Sequence, residues 1–176
     1  MEQLSNKYTG CIMLSLFNPQ WDLIIEECKT DPRVTYIEDF CHVTILYGLD
    51  RDIVKQAAFD IKDNVHTWRL RCKPISTAFY NDDNGDNCDN VVNKFEFVQS
   101  GNIRSISHLY GLNQYLRQNY DYKNNFPNYN PHITICKSVY DCKFIISDPT
   151  FQVNELVYSY KSDNSDEWVQ NAIAIQ

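Results

Sequence analysis

Hydrophobic positions along this chain fall into two rhythms. Eight short runs rich in β-branched, aromatic and aliphatic residues read as strands: Tyr8–Leu16, Cys41–Tyr47, Thr67–Cys72 and Ser76–Tyr80, then Val91–Val98, His132–Cys136, Asn154–Tyr160 and Trp168–Ile175. Three further stretches carry apolar residues at helical spacing. Pro19–Lys29 has a proline inside its first turn and Trp21, Ile24, Ile25 and Cys28 on one face. Asp50–Lys62 groups Ile53, Ala57 and Ile61, and Asn102–Asn119 carries a stripe of Ile103, Ile106, Leu109, Tyr110, Leu112 and Leu116. The order strand, helix, strand occurs over Tyr8–Leu46 and again over Val91–Ile135, which marks an internal repeat. The expected fold class is therefore α+β: one domain over 1–176, with two pseudo-twofold-related lobes (about 1–80 and about 91–176), a mainly antiparallel sheet and flanking helices.

The repeat is sharpest at two tetrapeptides. His42-Val43-Thr44-Ile45 returns 90 positions later as His132-Ile133-Thr134-Ile135. Successive side chains of a strand point to opposite faces, so each copy projects its His and Thr together and sends its two aliphatic residues into a core. Two bare His-x-Thr matches would be weak, but both copies lie in strand-forming runs and both are entered from turn-like segments, Tyr36–Phe40 and Asn128–Pro131. Two such strands side by side would set two imidazoles, each able to give or take a proton near neutral pH, around one phosphate. Thr44 and Thr134 would supply neutral hydrogen-bond donors between them. His66 and His108 lack the pattern and read as ordinary loop and helix residues.

With these motifs the chain resembles the two-histidine (2H) phosphoesterases, metal-independent enzymes that include the RNA ligase-like cyclic phosphodiesterases. Tyr8-Thr9-Gly10 before Ile12–Leu16, together with His42–Gly48, resembles more narrowly the phage anti-CBASS phosphoesterases, which destroy the cyclic nucleotide signals of bacterial antiphage defence. The resemblance runs from about Lys7 to Trp168, with nothing diagnostic between Trp68 and Gln99. It implies the RNA ligase-like fold and cleavage of a small cyclic oligonucleotide without a metal or other cofactor. His42 and His132 would act as general acid and base, in an order the symmetrical motifs leave open, with Thr44 and Thr134 on the non-bridging oxygens. Tyr8 and Trp168 open the first and last strands, where aromatic rings could stack on bases, as residues from both ends of the chain do in the phage family. The alternatives are an RNA or 2′-5′ oligonucleotide cyclic phosphodiesterase, and a non-catalytic cyclic-nucleotide sponge, for which degraded motifs would be expected.

Composition narrows the setting. A net charge of −7 disfavours long nucleic acid, whose binding depends on Lys and Arg neutralising phosphates, and leaves local cations such as Arg104, Lys123 and Lys137 to meet a short substrate. Seven cysteines, an odd number without a C-x-x-C pair, and no apolar run long enough for a bilayer point to a reducing cytoplasm, the host's if the chain is phage-encoded, without membrane contact; a monomer is the expectation, though the sequence does not fix the oligomeric state. By strand parity Cys41 opposes His42 and is a core thiol, whereas Cys136 shares the face of His132 and could line the rim of the site. Glu155 and Glu167 could accept from a base edge, though solvated carboxylates are the commoner reading. The acidic linker 81–90 does not fit a calcium loop, because with Gly85 at the sixth position the first and last ligands would be Tyr80 and Val91. Five glycines in all leave no glycine-rich phosphate loop.

Overall fold

The computed structural model describes residues 7–80, 89–97, 104–138, 146–162 and 167–176, so most of the expected linker 81–90 lies outside it. The described elements run β1 (Gly10–Phe17), α1 (Trp21–Thr30), β2 (Val34–Ile37), β3 (His42–Leu49), α2 (Val54–Ile61), β4 (Arg69–Tyr80), β5 (Asp89–Phe97), α3 (Arg104–Asn119), β6 (His132–Ser138), β7 (Thr150–Lys161) and β8 (Trp168–Ala174). Every described strand pair is antiparallel. The strand order is β2-β6-β5-β4-β7-β1-β3, with β8 added to β7. None of the described helices is long and apolar enough to cross a membrane.

β4 joins the two halves of this sheet. Its first residues, Arg69–Arg71, pair with β7, and Cys72–Tyr80 pair with β5. The sequence pattern splits this strand at Pro74, yet the chain continues through it. Beyond Arg71 the strand has a single described neighbour, so the missing proline N–H falls on an open side of the ladder. Sheet membership also crosses the expected lobe boundary. β2, from the first half, pairs with β6, while β7 pairs with β1 and carries β8 beside it. β2 occupies part of the segment expected to be a turn: Val34, Thr35 and Ile37 favour extended backbone, and four residues suffice to pair beside β6.

The core lies on the side of β1 and β3 away from their hydroxyl-bearing face. It takes Ile12 and Leu14 from β1, Val43, Ile45 and Leu46 from β3, Ile133 and Ile135 from β6, and Phe151, Val153 and Leu156 from β7. The helices close it with Trp21, Ile24 and Cys28 from α1, Val54, Ala57, Ala58 and Ile61 from α2, and Leu109, Leu112 and Leu116 from α3. The helical periodicity marks most of these positions but not Val54 or Ala58; of the others it marks, Ile25 and Ile53 are half-buried, Tyr110 is exposed, and Ile103 lies outside the described residues. The five described cysteines are buried thiols outside any disulfide.

Candidate active site

The duplication extends beyond the letters. In β3 the register against β1 runs Ser15 to His42, Leu14 to Val43, Met13 to Thr44, and then Ile12 to Leu46, skipping Ile45. In β6 the register against β5 runs Glu96 to His132, Phe95 to Ile133, Lys94 to Thr134, and then Asn93 to Cys136, skipping Ile135. Both copies thus carry a bulge at the residue after Thr, and both share the burial order half-buried, buried, half-buried, buried, buried. The bulge reverses strand parity beyond Thr. Cys136, expected on the rim with His132, is turned into the core and fully buried, because the extra residue Ile135 shifts it to the other face. Cys41, before the bulge, lies in the core as its parity requires.

Each imidazole is oriented in the same way. His42 Nδ1 lies 3.0 Å from the carbonyl oxygen of Phe40, and His132 Nδ1 lies 2.8 Å from that of Asn130. A carbonyl only accepts, so Nδ1 of each ring carries the proton and donates, and the nitrogen suited to proton exchange is Nε2. The Phe40 ring also packs against His42 with centroids 4.6 Å apart. Burial holds the His42 pKa below the ordinary histidine value, partly offset by the bond to Phe40. His42 is therefore mainly neutral at pH 7 and suited to accept a proton.

The motifs meet at a cavity of about 360 Å³, lined by Thr44 from the first copy and His132 from the second. His42 and Thr134 stand half-buried beside them on the same strands. Cys11, from β1, contributes a thiol that burial pushes up to about 12, with a hydrogen bond from Thr44 partly opposing the shift. The remaining wall comes from α3 and from the segment after it. The segment is tied to the first motif strand at four points: Lys123 N donates to Gly48 O at 2.8 Å, Asn124 Nδ2 to Tyr47 O at 2.8 Å, Tyr129 Oη to Thr44 O at 3.0 Å, and Tyr122 bridges Leu49. Gly48 makes this approach possible. Its φ is 87°, and a Cβ there would sit 2.0 Å from Lys123 O. Adjacent residues consequently serve both motifs, Tyr129 bonding the backbone of Thr44 and Asn130 orienting His132.

The other expected residues are placed as follows. Trp168 is 47% exposed, with its ring 6.4 Å from that of Tyr47, which lines the cavity. Tyr8 lies in the turn before β1, where its hydroxyl donates to Asp121 Oδ2 at 2.7 Å and Lys123 Nζ sits 4.7 Å over its ring. Lys137 Nζ lies 5.6 Å from the Tyr36 ring centre, and the Arg104 side chain is outside the described residues. Glu155 is half-buried and pairs with Ser15, itself the partner of His42, whereas Glu167 is exposed. Sequence reasoning missed Tyr47, Asn113, Arg117, Asn124, Phe126 and Tyr129, which line the cavity. Only the turn-like segment Asn128–Pro131, placed at the entry to the second motif, pointed that way. Arg117 holds this wall: Nη2 donates to Phe126 O at 2.9 Å, Nη1 to Pro127 O at 3.2 Å, and the guanidinium lies 5.3 Å from the Tyr122 ring centre.

The fold is LigT-like, that of the 2H phosphoesterases, an α+β architecture with antiparallel strands. The chain is similar to Escherichia coli LigT, at 13% identity and a TM-score of 0.59 over 96% of this chain and 97% of that one. It is similar also to Usb1 of Kluyveromyces marxianus, at 9% identity and a TM-score of 0.61 over 96% and 99%. The E. coli LigT structure in complex with 3′-AMP aligns at 13% identity and a TM-score of 0.58 over 96% and 98%. No family model and no curated protein matches the sequence.

Proposed function

We propose that this protein is a phosphodiesterase that cleaves cyclic di- or trinucleotide second messengers with two histidines and no metal, and that it acts as a monomer in the bacterial cytoplasm against CBASS antiphage signalling. The observation that carries the reading is the doubled histidine: two imidazoles on two bulged strands, each with Nδ1 committed to the carbonyl two residues earlier. The 2H fold shared with LigT and a solved phosphoesterase supports the chemistry. The anti-CBASS role rests on the resemblance of the Tyr8–Leu16 and His42–Gly48 strings and on the acidic chain, which disfavours long nucleic acid.

His42, kept neutral by burial, takes the proton of a ribose 2′-hydroxyl, whose oxygen attacks the adjacent phosphorus. The P–O5′ bond breaks, and protonated His132 gives its proton to the departing oxygen. Thr44 and Thr134 donate to the non-bridging oxygens as charge develops there. The tethered hydroxyl needs no separate nucleophile to be brought in.

The test is incubation in EDTA with cyclic di- and trinucleotides and with linear 3′-5′ and 2′-5′ oligomers, products being read by mass. Cleavage of the cyclic substrates is expected. Cleavage of linear oligomers alone would assign the protein to RNA or 2′-5′ oligonucleotide processing, and binding without cleavage would make it a sponge. An analogue lacking the attacking 2′-hydroxyl should bind intact; its rapid hydrolysis would show that water attacks instead.

A further inference from the structure

The cavity beside His132 and Thr44 holds more structure than proton transfer requires. Three rings line it, those of Tyr47, Phe126 and Tyr129, and two of them lie open to solvent: Tyr47 is 39% exposed and Phe126 61%. One side chain fixes the backbones that carry these two rings. Asn124 donates from Nδ2 to Tyr47 O at 2.8 Å and accepts at Oδ1 from Phe126 N at 3.0 Å. Arg117 holds the Phe126 carbonyl from the other side. The frame is thus built before any ligand arrives, so little ordering cost falls on binding.

At the α3 wall stands a polar group of a different kind. Asn113 lines the cavity although only 5% exposed. Its Nδ2 donates to Ile45 O at 2.7 Å, which sets the orientation of the amide and leaves Oδ1 with no partner among the described residues. An acceptor held at the wall of an aromatic cavity is matched by a ligand that brings a donor, and it opposes one that brings a second acceptor. The volume suits a nucleoside, at the lower end of the range for small-molecule sites.

We infer that this cavity is the subsite for one nucleobase of the substrate, with Phe126 and Tyr47 as stacking faces and Asn113 Oδ1 as acceptor for an exocyclic amine. The inference rests on the phosphodiesterase reading for the phosphate that the base is attached to, and it adds the class of base selected. An amino-bearing base is preferred to one with a carbonyl at the same position. Stacking is tolerant of base identity, so discrimination belongs to Asn113 and affinity to the rings.

Adenosine and inosine monophosphates separate these roles, because they differ by an amine against a carbonyl on the same purine. By calorimetry the protein should bind AMP at least about tenfold more tightly than IMP, as expected when a fixed acceptor in the cavity wall meets a donor in one case and an acceptor in the other. Phe126→Ala should weaken AMP binding by about 5- to 100-fold. It should raise KM for cyclic di-AMP while largely preserving kcat, and leave the melting temperature unchanged because the ring is exposed. Equal affinity for AMP and IMP, or unaltered AMP binding in Phe126→Ala, would overturn the subsite even if cyclic di-AMP is cleaved. AMP selectivity that depends on Phe126, in a protein that cleaves no phosphodiester, would uphold the subsite and remove the proposed reaction.

Discussion

Gly48→Ala tests how the site is assembled without reference to its chemistry. Gly48 sits at φ 87°, where an L-residue pays about 1–2 kcal/mol. An added Cβ would also fall 2.0 Å from the carbonyl oxygen of Lys123. That contact is with backbone and cannot be relieved by a side-chain rotation, so the segment must lift away from β3. Two hydrogen bonds are stretched by that movement, Lys123 N to Gly48 O and Asn124 Nδ2 to Tyr47 O, each worth about 0.5–1.5 kcal/mol net. The sum is about 2–5 kcal/mol, or roughly 5–20 °C in melting temperature for a chain of this size. Gly111→Ala provides the opposite sign. Gly111 lies within α3, and a Cβ there would meet nothing within 4 Å, so the substitution should stabilise by about 0.5–1 kcal/mol. Scanning calorimetry of the two variants is the assay, with kcat/KM as a second readout, because the displaced segment carries Tyr129 and Asn130. If Gly48→Ala melts within about 1 °C of the unaltered protein, the account of how this wall is held is wrong.

Replacing His42 or His132 by Ala should cost about 10²- to 10⁴-fold in kcat, with little change in substrate affinity and no further large loss in the double variant. Loss of wild-type activity in EDTA that Mn²⁺ or Zn²⁺ restores would contradict the metal-free mechanism. Because burial lowers the His42 pKa, the acidic limb of kcat/KM should lie below about 6.5, the ordinary histidine value, and move upward in variants that open the Phe40 contact. The same depression makes the unfolded chain the stronger proton binder, so stability conferred by neutral His42 is present above about pH 6.5 and declines as pH falls through its folded value; urea titrations between pH 5 and 7.5 on His42→Gln and the unaltered chain should diverge in that window. Tyr129→Phe removes the hydroxyl that binds Thr44 O while keeping the ring, and should lower melting by a few degrees and reduce kcat more than it raises KM. An unchanged kcat in that variant would separate the Tyr129 bond from catalysis.

Much of the architecture was legible in one dimension because it depends on periodicity. Strands and helices with a buried face repeat every two or 3.6 residues, and α1, α3, β6 and β8 lie within two residues of their expected limits. The two His-x-Thr strings were legible for the same reason, since parity within three residues of a strand places His and Thr on one face without reference to any partner. Parity stopped being informative at Ile45 and Ile135. A bulge is defined by the strand opposite, and that register decided that Cys136 turns inward. β2 was hidden because four residues carry too little pattern, and they become a strand only when β6 offers its edge. The continuity of β4 through Pro74 likewise depends on which side of the strand stays open. The cavity is tertiary throughout. Thr44 lies far in sequence from Asn113, Phe126 and His132, and they share one wall because Gly48 admits the chain after α3 against β3, where the Tyr129 hydroxyl and the Asn130 carbonyl hold one motif each. Residue types restrict which local conformations are cheap, but a site built from backbone carbonyls has no signature in the side chains that donate to them.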